Sequence, residues 1–550
     1  MKTPGLLLAA TVALAAPPRV AAAARSAALD WHRPPYATRE GDLLTIDVPE
    51  SAARQGCRVE ANVDLSAFDG VAFEAEIKAS GERIAKPRAA WNGLKFQFEY
   101  TDPASGETFY PNTASRLGDF PRQTLRVRDS LCTAKAAPAR IVLGLQDTSG
   151  RVVFDLATLR IRECAPYWPV TNQTHRCAYR APVGMFTIPN CPQIPNVHKF
   201  SLSTNVNDNS DLTFVNNGGQ LSFVDNQPLR GCMSPGRDMT EDDFRTLRDW
   251  GATLLRYQMV RDWGKIGANR DLAEYEAWLE GRLAHFESFV RPMFRKYGLK
   301  VVLDLHVTPG GRNAQGEFRM FFEREYADWF VDFWRRTAAR FAPVVQTMGP
   351  VIYGYDLCNE PVQHGEALPE CDWWSLQRRA AEAIREVDPE TPVIVETNNW
   401  DVPSAFGMLS PLALVNVIYE VHVYNPIQFT HQGIMGHPMG VAYPNAARGW
   451  DREYLRRVLG PVRAFQEKHG AKIYVGEFSA AAWAPGADQY LRDCIALFNE
   501  YGWDWTYHAF RESSVWDVEK KFGADGKIVS SPDIPRKRAL LDGFSVKSIQ

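Results

Sequence analysis

Val351-Ile352-Tyr353-Gly354-Tyr355-Asp356-Leu357-Cys358-Asn359-Glu360-Pro361 is an apolar run that ends in polar, chemically able side chains. A short apolar run closed by Pro reads as a buried strand. Amphipathic stretches lie on both sides of it, over residues 326–348 and 373–387, so helix and strand alternate around it. Working outward, strand candidates begin near Leu229, Thr253, Lys300, Val351, Pro392, Val415, Ala471 and Trp503. Further amphipathic stretches cover residues 240–249, 275–297, 454–469 and 488–501, and the helical signal is weakest after the fifth strand. Thr240 with Asp243 three residues on is a capping-box arrangement that opens the first of them. Eight strand–helix alternations over ~320 residues predict an α/β fold, a closed (β/α)8 barrel with insertions. We assign it residues 221–550. A doubly wound open sheet would alternate too, but no Gly-rich phosphate loop follows the first strand, which disfavours a nucleotide-binding variant.

The first part of the chain obeys a different period. Residues 28–164 carry two-residue apolar alternation, as in Leu43-Leu44-Thr45-Ile46-Asp47-Val48 and Leu94-Lys95-Phe96-Gln97-Phe98-Glu99-Tyr100, with turn residues between the runs. Many short strands without a helical stretch predict an all-β sandwich of jelly-roll type ahead of the barrel. Residues 165–220 are rich in Pro and Asn with little periodicity and read as a linker or wrapping segment. The start combines Lys2, an apolar stretch over residues 6–16 and small residues at 21–24, the pattern of a signal peptide over residues 1–24. A secreted or periplasmic protein is therefore expected. No run is long and apolar enough to span a bilayer.

Nine cysteines fit an oxidising destination. Cys164, Cys177, Cys191 and Cys232 are candidates to staple the interdomain region, whereas Cys358 and Cys494 read as small core hydrophobes. No spacing matches a metal motif, so no metal and no cofactor is expected. The net charge of −3 offers nucleic acid no basic field.

Reacting groups of such a barrel come from the C-terminal ends of its strands. Those ends read Arg256-Tyr257 on the second strand, Asp304-Leu305-His306 on the third, Asn359-Glu360-Pro361 on the fourth, His422-Val423-Tyr424 on the sixth and Gly476-Glu477-Phe478 on the seventh. The eighth runs Trp503-Asp504-Trp505-Thr506-Tyr507-His508-Ala509-Phe510-Arg511-Glu512. A single Glu at a strand end is most often merely solvated, but two of them in this company suggest a pair. A serine hydrolase and a metal-dependent hydrolase are both disfavoured, because neither a GxSxG elbow nor an HExxH motif is present.

From about Ser222 to Phe544 the chain resembles glycoside hydrolase family 5, the cellulase-type family of retaining enzymes, most specifically in Asn359-Glu360-Pro361 and Gly476-Glu477-Phe478. The resemblance implies Glu360 as acid/base and Glu477 as nucleophile, acting on a poly- or oligosaccharide. It also places Arg256, His306, Asn359, His422 and Tyr424 in the sugar subsite. Retention needs two carboxyl groups about 5–5.5 Å apart, one protonated and one ionised. Arg256 beside Glu477 would favour its charged form, a Tyr424 hydroxyl donating to it would orient it, and Asn359 would bond the sugar 2-hydroxyl. Trp505 is a candidate to stack under a sugar ring.

One departure stands out. Family cellulases commonly place a Trp at the end of strand eight, where this chain has His508, with Arg511 and Glu512 close behind. A long loop after Tyr424 could also cap the cleft. Both leave room for an exo-acting or side-chain-trimming glycosidase, on furanoside or glycolipid substrates among others, beside an endo-β-glucanase. A non-catalytic carbohydrate-binding protein would be expected to have lost one Glu or its supporters. The sandwich resembles appended carbohydrate-binding modules in pattern alone.

Overall fold

The computed structural model describes residues 34–164 and 228–545, apart from a few isolated positions, and three short strands between them. The expected signal peptide and most of the linker lie outside the described residues.

Nine strands make the first domain: β1 (Ala37–Glu40), β2 (Leu43–Val48), β3 (Cys57–Val63), β4 (Ala72–Ile84), β5 (Gly93–Thr101), β6 (Thr108–Phe109), β7 (Gly118–Asp129), β8 (Ala139–Gln146) and β9 (Gly150–Cys164). They pair antiparallel in two sheets, β1-β2-β9-β4-β7 and β3-β8-β5-β6. Strands two to nine in the orders 2-9-4-7 and 3-8-5-6 form two interleaved Greek keys, which is the jelly roll expected. The alternation has a direct cause: Leu44, Ile46, Phe73, Ala75, Ile77, Phe96 and Phe98 face inward and fill the space between the sheets. On the outer face of β5, Lys95, Gln97 and Glu99 form a hydrogen-bonded row that Arg58 and Arg140 close.

Between the two domains, β10 (Gly184–Phe186), β11 (Thr213–Asn217) and β12 (Gln220–Val224) form a small antiparallel sheet, so the segment read as a linker carries strands and its sheet extends to Val224. The sequence Asn217-Gly218-Gly219-Gln220 is a hairpin signal between short alternating runs.

The barrel closes through eight parallel strands: β13 (Arg230–Met233), β14 (Leu254–Gln258), β15 (Lys300–Asp304), β16 (Ile352–Asp356), β17 (Val393–Val395), β18 (Val417–Val423), β19 (Lys472–Phe478) and β20 (Asp504–Tyr507). Pairing of β13 with β20 completes the ring. Each strand begins within two residues of the position read from the sequence. Helix Glu241–Trp250 is opened by the predicted box, with the Thr240 amide donating to Asp243 Oδ2 at 2.8 Å. After β17 comes a 3-10 turn, Pro403–Met408, in place of a full helix. Leu131 of the sandwich packs against this turn, on Ala405 and Met408, and so seats the sandwich on the barrel.

Inside the barrel the side chains are layered. Leu229, Leu254, Val302, Tyr353, Ile394, Ile418 and Tyr474 plug the lower end. One step up, on the strands from β14 to β18, the inward positions become charged: Arg256, Asp304, Asp356, Glu396 and Glu420, all buried. A Cβ on Gly476 would overlap the Glu420 carboxylate, so only glycine fits beside it.

Cys164 and Cys232 carry free thiols, so they do not staple the domains, while Cys177 and Cys191 lie outside the described residues. Cys358 and Cys494 are buried and free, as expected of core hydrophobes. Among the described residues, no helix is long and apolar enough to cross a membrane.

Candidate active site

The charged layer rises to a group of polar side chains at the C-terminal end of the strands. Arg256 on β14 is its centre and has no solvent exposure. Its Nη1 donates to Glu477 Oε1 at 2.7 Å and to Asn359 Oδ1 at 3.1 Å, and its Nε donates to Asp356 Oδ2 at 2.9 Å. Its Nη2 donates to Glu396 Oε1 at 3.0 Å and lies 3.3 Å from Glu420 and 3.6 Å from Asp304. So many carboxyls around one cation cannot all be ionised at low cost. Burial, together with these neighbours, holds Asp356 and Glu396 well above the ordinary carboxyl range.

Glu477, on β19, accepts from Arg256 through one oxygen and from the Tyr424 hydroxyl, at 2.8 Å, through the other. Burial alone would raise its pKa, but His422, His508, Arg256 and His306 outweigh burial and hold it well below the usual range. A carboxylate so placed stays ionised.

Glu360 sits just past β16 with φ 49°, a left-handed conformation unusual for a residue with a Cβ. Two contacts hold it there. Its amide donates to Glu396 Oε2 at 2.6 Å, and its carbonyl accepts from Arg312 Nη2 at 2.9 Å. Arg312 is itself clamped between the rings of Phe318 and Trp400, 3.9 and 4.6 Å from their centroids.

His422 joins the two glutamates. Its Nδ1 lies 3.2 Å from Glu360 Oε1 and 3.9 Å from Glu477 Oε2, and its Nε2 lies 3.3 Å from Glu420 Oε1. One oxygen each of Glu360 and Glu477 and one His422 ring nitrogen all fall within 4.8 Å of one another. An approach this close fits the ~5–5.5 Å between the carboxyl groups of a retaining pair. His306 is oriented by Asp304, with Nδ1 2.7 Å from Oδ2. His508 Nδ1 lies 2.6 Å from the Tyr424 hydroxyl.

The structure thus gathers Arg256, His306, Asn359, Glu360, His422, Tyr424, Glu477 and His508 into one site. Trp505 is not among them. It is fully buried on the outer side of β20, with its ring stacked on Phe544 at 5.3 Å and edge-on to Phe478. Trp516, beyond the strand, supplies an aromatic wall instead, 5.5 Å from His508 and 6.1 Å from Tyr424. Its place in a loop gave no periodic signal. Glu396 and Glu420 belong to the site as well; the local sequence marks each only as an acid in an apolar run.

The sequence model of the family described as "Cellulase (glycosyl hydrolase family 5)" matches residues 222–514, more than half of the chain. Among curated proteins the chain is 28% identical over 303 residues to Endoglucanase C of Acetivibrio thermocellus, covering 49% of this chain and 84% of that one. It is 25% identical over 270 residues to Cellodextrinase A of Ruminococcus flavefaciens, covering 48% and 75% respectively. Among solved structures it is similar to Thermotoga maritima Cel5A in complex with cellobiose, at 22% identity and TM-score 0.45, over 57% of this chain and 97% of that one. With a closed barrel and the family model spanning both glutamates, the chain belongs to glycosyl hydrolase family 5 and is a retaining glycoside hydrolase.

Proposed function

We propose that this enzyme cleaves internal O-glycosidic bonds of a β-glucan, with Glu477 as nucleophile and Glu360 as acid/base. The observation that carries the assignment is the approach of Glu360 to Glu477 within 4.8 Å, with Arg256 and Tyr424 both engaged on Glu477. Glu360 gives its proton to the glycosidic oxygen as that bond breaks, and Glu477 forms a covalent bond to the anomeric carbon. Glu360, now ionised, takes a proton from water, whose oxygen displaces Glu477 and restores the starting state. Asn359 contributes through an asymmetry: its Oδ1 is taken by Arg256, while its buried Nδ2 has no hydrogen-bond partner. That free donor suits a sugar 2-hydroxyl. His306 and His422 line the same subsite.

The choice of a β-glucan and of internal cleavage rests on likeness to an endoglucanase over 84% of that protein's length. A second reading, exo-acting cleavage, draws support from the strand-eight His508 and from the loop that follows Tyr424. Gln432 ties that loop together by bonds to Phe429, Gly440 and Val441, and Trp483 Nε1 donates to its carbonyl at 2.7 Å. We also infer export from the cytoplasm, where a polymeric substrate would be met, on the strength of residues 1–24.

Viscosity and reducing ends, followed together on a soluble β-glucan, separate the two modes. Internal cleavage drops viscosity well before reducing ends accumulate; the reverse order supports the exo reading. No release from glucan, mannan or xylan would overturn the substrate class.

A further inference from the structure

The turn after β20 holds a chain of three hydrogen bonds that the double displacement does not itself require. Glu512 Oε2 lies 3.0 Å from His508 Nε2, His508 Nδ1 lies 2.6 Å from the Tyr424 hydroxyl, and that hydroxyl donates to Glu477 Oε2 at 2.8 Å. Donor counting fixes where the protons are. A phenol has one hydrogen and an ionised carboxylate has none. Tyr424 spends its hydrogen on Glu477, so its oxygen accepts from a protonated Nδ1. Glu512 can only accept, so Nε2 is protonated as well. Only the imidazolium form of His508 satisfies both ends.

We propose that Glu512 holds His508 as an imidazolium and that His508, through the Tyr424 hydroxyl, sets the orientation and ionisation of Glu477. Both are then positioning residues for the nucleophile, in a chain that has no indole at this place. The proposal rests on the reading of Glu477 as nucleophile.

The electrostatics agree with the donor count. Burial disfavours the charged form of His508, yet Glu477 and Glu512 overcome it and raise its pKa; burial would raise Glu512, and His508 instead lowers it. The other groups facing the relay are Arg256 from β14, His306 after β15, Glu360 after β16, His422 on β18 and His431 beyond Tyr424. Arg256 is a fixed cation, and His422 has carboxylates against both nitrogens. His431 is held neutral, its pKa pushed down to about 3 chiefly by burial. The positive charge on His508, 3.7 Å from Glu477 Oε2, therefore adds to that of Arg256 and His422 and is not replaced by a neighbour.

The test is the pH profile of kcat/KM on an aryl glycoside whose leaving group needs no acid, which takes Glu360 protonation out of the profile. His508→Asn keeps an N–H for Tyr424 and removes the charge, so its acid limb should move up by about 1 pH unit or more. Glu512→Gln keeps the hydrogen bond and removes the anion. His508 should then lose its proton at lower pH than in the parent enzyme, so the fall in rate with rising pH should begin earlier. Profiles of unchanged shape and lower height in both variants would overturn the proposal, because a merely structural role scales the rate without moving its limbs. Glu477→Gln, run alongside, tests the nucleophile separately: turnover there overturns the underlying reading whatever the other two variants do.

Discussion

Arg256 Nη1 donates to Glu477 Oε1 at 2.7 Å from a position fully closed to solvent. The same guanidinium meets Asp304, Asp356, Glu396 and Glu420, so it orders the nucleophile and supplies the cation around which the barrel's middle layer is built. Removing one partner of a buried ion network is far more costly than never having built it. Arg256→Met should therefore lower stability by ~3–5 kcal/mol and abolish turnover. Denaturant unfolding checks the first part; a loss below about 1 kcal/mol, the range of exposed ion pairs, would contradict it.

Glu360→Ala removes the proton that assists the departing oxygen. Substrates with acidic phenol leaving groups should keep much of the rate of the first step, whereas unactivated glucans should lose on the order of 10²–10⁴-fold. Exogenous azide should restore turnover of the activated substrate by attacking the glycosyl-enzyme. Equal loss on all substrates would contradict the acid role.

Gly476→Ala sets a methyl group against the Glu420 carboxylate inside the barrel. Overpacking of this kind costs about 1–3 kcal/mol, and displacement of Glu420 should also disturb His422. A lower Tm together with a raised KM is expected, and shortening Glu420 to Asp in the same chain should recover part of the Tm. An unaffected Tm in the single variant would contradict the packing described.

Glu107 on the sandwich has an Oε2 shut away from solvent without a hydrogen-bond partner. Burial pushes its pKa up to about 7, against weaker opposing contacts with Ser404 and Asn425 of the barrel. For a carboxyl raised in the folded state, the native protein binds the extra proton between about 4.5 and 7. Stability from this group is therefore intact below that window, falls as pH rises through it and stays low above. Glu107→Gln should raise Tm at pH 8 and leave it unchanged at pH 4, with a gain of up to ~3 kcal/mol. A variant equally stabilised or destabilised at both values would contradict the account.

The sequence carried the barrel far because its signals were local. The Thr240–Asp243 box, the apolar run into Asn359-Glu360-Pro361 and the amphipathic helices each depend on neighbours within a few residues. The reading of Trp505 failed for a physical reason. β20 alternates Asp504 and Thr506 with Trp505 and Tyr507, and in this barrel the polar parity is the one that faces inward: Thr506 bonds to the Gly476 carbonyl, while Trp505 turns outward onto Phe544. Glu396 and Glu420 are single acids in apolar runs, and nothing local ties them to Arg256, which lies well over a hundred residues away. The seat of Leu131 on Pro403–Met408 is likewise a long-range contact with no local trace.

The central claim is that Glu477 forms the covalent bond to sugar. A 2-deoxy-2-fluoro-β-glycoside with an activated leaving group slows release of the glycosyl-enzyme, and peptide mass spectrometry then locates the modified residue. The label is predicted on the peptide carrying Gly476-Glu477-Phe478, with retained configuration in the normal product. A label on Glu360, or an inverted product, would contradict the account.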